Sequence, residues 1–182
     1  ACDLKRGDPA RMGAAGHSFG AHTVLALAGQ SFGPLGARGL DSRFKAVAAL
    51  SPIAPRNDPA RAKAAFGGIR IPLLSATGSE DGSPFANGKS LAEIAAARAS
   101  VFEALPASRT GEASIGLWID GADHAALSGG GGRAGAIPNP HATSLIGAAT
   151  TAFFKVNLGG NGKPDLAATR ALMAPGDRLS VR

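Results

Sequence analysis

One cysteine, one tryptophan and no tyrosine occur in the 182 residues. A lone Cys2 excludes an internal disulfide and a thiol-based metal site. With so few aromatics, the core has to be assembled mostly from Ala, Leu, Ile, Val and Phe. Basic clusters are missing too. The 19 basic and 13 acidic side chains give a net charge of +6, yet the densest basic spot is only Lys5-Arg6. A nucleic-acid binder concentrates such charge on a face or tail, so this charge reads as a solvated surface with no nucleic-acid partner. No apolar run approaches the length of a membrane-spanning helix. An initiating Met is absent: the chain starts ACDLKRGDPARMG, as a processed or truncated chain does. The lack of a targeting segment therefore carries no information about localisation.

Glycine is abundant, with 26 residues, and the pattern G-x-S-x-G occurs twice, at Gly16-His17-Ser18-Phe19-Gly20 and at Gly29-Gln30-Ser31-Phe32-Gly33. Chance alone yields roughly 0.3 matches in a chain this rich in Gly, so only structural context gives the pattern meaning. A nucleophile elbow needs a strand before the serine, a helix after it and small residues around a strained turn. The Ser18 copy has RMGAA before it, AHTVLALA after it, and Gly16, Gly20 and Ala21 around it. The Ser31 copy follows a helix and runs into Gly33-Pro34-Leu35-Gly36, so its glycines read as a helix terminus.

Short apolar segments alternate with helical ones. Strands are expected at Arg11–Gly16, Phe44–Leu50, Ile69–Ala76 (pairing late because of Pro72) and Ser114–Ile119. Helices are expected at Ala21–Ala28, Ser90–Leu105 and Thr143–Leu158, with a flexible loop at Ser128–Pro140. This alternation implies β-α-β units in one α/β domain, its strands buried on both faces.

A serine hydroxyl is a weak nucleophile until a base takes its proton, and the base needs an orienting carboxylate. The third strand runs into TGSEDGSPF, with Glu80 and Asp81, and the fourth into IDGADHAAL, with Asp120, Asp123 and His124. Serine, acid and histidine thus follow in elbow order at successive strand ends. Of the four histidines only His124 sits just past a strand. His17 lies inside the elbow and reads as a packing residue pointing elsewhere. His22 is on the following helix, five residues on, which misses the spacing of a helical metal pair. His141 reads as a surface or capping residue. Asp123 is awkwardly placed to hold its neighbour's ring from behind, and the residues alone leave Glu80 and Asp81 both open.

With GHSFGAHT at Ser18, TGSEDGSP at Asp81 and DGADHAALSG at His124 in register, the chain resembles the C-terminal two-thirds of an α/β-hydrolase of the dienelactone hydrolase-like group. That group is itself similar to bacterial polyester hydrolases and platelet-activating-factor acetylhydrolases. FKAVAALSP and ATTAFFKVNL fit as well, so the resemblance covers nearly the whole chain. It implies a partial α/β-hydrolase domain over residues 1–182, with a mostly parallel sheet flanked by helices. It also implies hydrolysis of a small-molecule carboxylic ester through an acyl-serine. Ser18 would be the nucleophile, His124 the general base and then acid, Asp81 the orienting carboxylate, and the backbone N–H of Phe19 half of an oxyanion hole. No metal or organic cofactor is implied. The motifs are specific to fold and mechanism but not to substrate. Thioesterase, acyltransferase or peptidase chemistry on the same residues, or a non-catalytic binding domain, are the rival readings. The chain departs from the group in lacking the strands before the elbow and the loop that gives the first oxyanion donor. The strand Arg11–Gly16 is then expected at an open sheet edge, and the chain alone to be aggregation-prone and nearly inactive on simple esters.

Overall fold

A computed structural model of the chain describes residues 7–53, 58–82, 88–107, 113–129, 138–159 and 163–182. Its elements run β1 (Met12–His17), α1 (Phe19–Leu27), β2 (Phe44–Leu50), α2 (Pro59–Phe66), β3 (Leu73–Glu80), α3 (Leu91–Glu103), β4 (Ile115–Asp123), α4 (Pro140–Gly159), α5 (Ala167–Leu172) and β5 (Arg178–Val181). The strands form one sheet in the order β1-β2-β3-β4-β5. The first four are parallel and β5 is antiparallel to β4. This is a mostly parallel α/β sheet, and β1 stands at one edge of it among the described residues.

Burial on both faces explains the unbroken apolar runs. Ala46, Val47, Ala48 and Ala49 of β2 are all fully buried. Val47 and Ala49 face the cluster made with α1, α2 and α3, where Leu25, Phe66 and Val101 pack. Ala46 and Ala48 face the opposite cluster, built by β3, β4 and α4 around Leu74, Ile115, Leu145 and Phe153. The alternation of side chains along a strand divides these residues between two cores. Each fully buried Leu or Phe contributes about 1.5–3 kcal/mol through the water it no longer meets.

Local chemistry sets the boundaries. Pro72 has no N–H, and β3 begins just after it, while the Pro72 carbonyl accepts from Val47 N. Ser90 caps α3 by accepting from the Glu93 N–H, and Glu93 reaches back to Ser90 N, a closed capping box. β2 coincides with the expected Phe44–Leu50, whereas β4 runs on to Asp123, α1 starts at Phe19 and α4 at Pro140. Three elements were not expected: α2, α5 and β5. The polar stretch PARAKA hides α2, although Asp58 caps it and Pro59 opens it. β5 is a four-residue, largely exposed edge strand recruited by β4. Cys2 and most of the Ser128–Pro140 stretch lie outside the described residues. No helix among the described residues is long and apolar enough to cross a membrane.

The turn before β5 is tied down by Asp177. Its solvent-shielded carboxylate accepts from Ala174 N, Asp120 N and His141 Nε2. Burial opposes the charge, but the two backbone N–H groups and His141 outweigh it and hold the carboxyl below the ordinary aspartate value. Folding therefore favours the ionised form. The resulting stabilisation is complete above about pH 4, the unfolded value, and is lost as pH falls through the lower folded value. Asp177→Asn is thus expected to unfold at a lower temperature than the native chain near pH 7. The gap between their thermal midpoints should shrink below about pH 4. A gap that stays constant down to pH 2 would refute this role.

Candidate functional site

The C-terminal ends of the four parallel strands carry the site. At the end of β1, Ser18 adopts φ 55° and ψ −113° before the chain enters α1. Such a backbone is costly for a residue with a Cβ and persists only when its surroundings over-determine it. Two contacts do this. Ser18 N donates to Leu50 O on β2, and a Cβ placed on Gly16 would lie 2.2 Å from the Gly20 carbonyl oxygen. Only glycine at position 16 lets the strand and the first turn of α1 approach so closely. Gly20 carries no such constraint, since nothing lies within 4 Å of a Cβ built there.

Ser18 heads α1 without capping it. Its hydroxyl lies instead 2.9 Å from His124 Nε2, across 106 residues of sequence. The other ring nitrogen, Nδ1, is 2.8 Å from Asp81 Oδ1. Asp81 is fully buried and follows β3, while His124 is about one-third exposed and follows β4. An ionised carboxylate only accepts, so Nδ1 carries the ring proton and leaves Nε2 free to accept from the Ser18 hydroxyl. A buried carboxylate is destabilising unless its oxygens are occupied. Asp81 has Thr77 Oγ1 donating to Oδ2 at 2.8 Å, Ser51 Oγ donating to Oδ1 at 2.8 Å, and the Arg98 guanidinium 3.3 Å away.

Of the rival acids, Glu80 is exposed on the last position of β3. Asp120 is exposed, and Asp123 is engaged by Ala126 N in its own turn. Ser31 lies past the end of α1, where Gly29 at φ 101° and the bond from Gln30 N to Leu25 O close the helix. Its N–H donates to Ala65 O, in α2. The Phe19 N–H belongs to the first turn of α1, which has no intrahelical acceptors, while its ring stands out in solvent.

Three residues of the site escaped the reading of the sequence. His17 does not point elsewhere: its ring centroid is 4.6 Å from that of His124, and its Nε2–H donates to the His124 carbonyl at 2.9 Å. Burial, reinforced by the neighbouring His124, pushes the His17 imidazole below its ordinary value. Arg98 of α3 is almost completely buried and donates to the carbonyls of Ser51, Pro52, Asp81 and Gly82. Its signal was available, since it falls on the buried stripe Ile94, Ala95, Arg98, Val101, Phe102, where a solvated arginine has no place. Ser51 carried no comparable signal, being only the serine of the Ser51-Pro52 pair that follows β2.

Among the described residues no group of three or more His, Cys, Asp and Glu is placed to hold a metal ion. No protein-family model matches the chain, and a search of curated proteins finds no match.

The two glycines of the elbow should respond in opposite ways. Gly16→Ala is expected to destabilise the fold by about 1–3 kcal/mol through backbone overlap. Gly20→Ala should be neutral or stabilising by up to about 1 kcal/mol, since alanine suits a helix better. Denaturant midpoints of the two variants measure this. Equal losses would mean that the close approach is not at Gly16.

Proposed function

We propose that the chain is a serine hydrolase of the α/β-hydrolase type that cleaves carboxylic esters through an acyl-serine intermediate. One observation carries the reading. Ser18, on a strained strand-to-helix turn, is joined through His124 to the buried Asp81 by hydrogen bonds of 2.9 and 2.8 Å. An imidazole in this tautomer takes the Ser18 proton as the oxygen attacks an ester carbonyl. The resulting imidazolium is stabilised by the Asp81 carboxylate and then gives its proton to the departing alcohol. Water, activated by the same imidazole, releases the acid and restores Ser18. The backbone N–H of Phe19, at the positive end of α1, would donate to the oxyanion. None of these steps calls for a metal or an organic cofactor.

The same residues serve thioesters, amides or transfer to another alcohol, and a panel of acyl substrates separates these from esters. Labelling with a fluorophosphonate probe separates all of them from a binding domain that merely uses the fold. Ser18 is expected to be labelled, Ser18→Ala to lose both label and turnover, and Ser31→Ala to keep both. Label that persists in Ser18→Ala and vanishes in Ser31→Ala would overturn the assignment.

Asp81→Asn should lower kcat by several orders of magnitude, because an amide no longer enforces the reactive tautomer of His124. Glu80→Gln should change it little. Steady-state kinetics of the two variants give the comparison, and the reverse ranking would move the acid to Glu80.

A further inference from the structure

We propose that Ser51 is a positioning residue that orients the His124 imidazole jointly with Asp81, a role that rests on the hydrolase reading above. Ser51 directly follows β2, is fully buried, and holds φ 55°. It and Ser18 are the two non-glycine residues with positive φ among the described residues. Strain of this kind persists where neighbours enforce it, and both backbone groups of Ser51 are taken. Its N–H donates to Ala76 O on β3 at 2.7 Å, and its carbonyl accepts from Arg98 Nη1 at 2.7 Å. The chain is thereby bent so that the hydroxyl turns into the site.

There it stands 2.8 Å from Asp81 Oδ1 and 2.8 Å from His124 Nδ1. The proton inventory allows one consistent arrangement. The carboxylate accepts, so the Ser51 O–H donates to Oδ1, and the Ser51 oxygen is left to accept from Nδ1–H. That N–H therefore lies between two acceptors from two different strands. A single carboxylate contact leaves the ring free to swing about its Cβ–Cγ bond. A second acceptor fixes that rotation and keeps Nε2 aimed at Ser18. It also gives the imidazolium formed during turnover two partners. The charged and titratable groups around the ring are Asp81 just after β3, His17 tilted against it from β1, Arg98 from α3 beside Asp81, and Asp123, the residue before it. Ser51 is the hydroxyl-bearing, non-titrating member of this group, placed just after β2.

The test removes the hydroxyl in two ways. Ser51→Gly also relieves the positive φ, whereas Ser51→Ala keeps the strain. Both should lower kcat on a 4-nitrophenyl ester by roughly ten- to a hundredfold, with KM changed less than about threefold. In an Asp81→Asn background the same replacement should cost less than about threefold, since both groups act through one ring. Independently of turnover, the Nδ1–H proton of His124 should resonate upfield of its native position by NMR and exchange faster with water in either variant. Native kcat in Ser51→Gly, or full additivity with Asp81→Asn, would overturn the proposal. So would impairment confined to Ser51→Ala, which would assign the effect to backbone strain. If the proton signal shifts as expected while the native chain turns over no acyl substrate, the ring-positioning role stands and the hydrolase reading falls. If the native chain is active through Ser18 and Ser51→Gly matches it, the reading stands and Ser51 falls.

Discussion

A carboxylate with no access to water governs the architecture at the strand ends. Removing Asp81 from solvent is tolerable only because every side of it is met by a donor or a positive charge. The Arg98 guanidinium supplies the charge from α3, Thr77 supplies a hydrogen bond from β3, and Ser51 and His124 supply hydrogen bonds from just past β2 and β4. Four elements distant in sequence are thereby required to meet at one place. Arg98 extends the requirement to the backbone, because its planar fork binds carbonyls of both the β2 and β3 exits. A lysine, with one compact ammonium, has no geometry for four such acceptors.

The same cluster accounts for the strain. Ser18 and Ser51 hold unfavourable backbone angles at the ends of adjacent strands, and each is pinned by a neighbour's carbonyl, Leu50 for one and Ala76 for the other. The parallel sheet makes this repetition possible. Its strands finish side by side with N–H and C=O groups still unpaired at the rim, ready to hold an irregular turn. His17 adds a last brace by packing at a tilt against the His124 ring and binding the His124 carbonyl, so that the loop after β4 is held from β1 as well as from β3.

Much of this was legible because it is local. The elbow at Ser18 announces itself through small residues between an apolar strand and a helix, and Gly16 shows why they are small. Pro72 marks the start of β3 through its missing N–H. The elements that were missed depend on something elsewhere. β5 is a strand because β4 offers it an edge, and α2 is polar enough to read as loop despite its cap. The residues alone left Glu80 and Asp81 both open, since adjacent residues differ only in which way the backbone turns them, and only the family resemblance favoured Asp81. In the fold the strand ends at Glu80 facing solvent, and the next residue turns inward to the buried site.

By itself the amino-acid order determined the alternating α/β plan, the strained turn at Ser18, and the succession of serine, acid and histidine at strand ends. These follow from hydrophobic period, from glycine's conformational freedom and from proline's missing N–H, all of which act within a few residues. Only the tertiary structure decided which carboxylate faces the imidazole, that His17 leans on His124, and that Ser51 and Arg98 belong to the same cluster. Those outcomes depend on side chains 30 to 107 residues apart meeting at 2.7–2.9 Å. Sheet register sets such distances, and no local pattern encodes them.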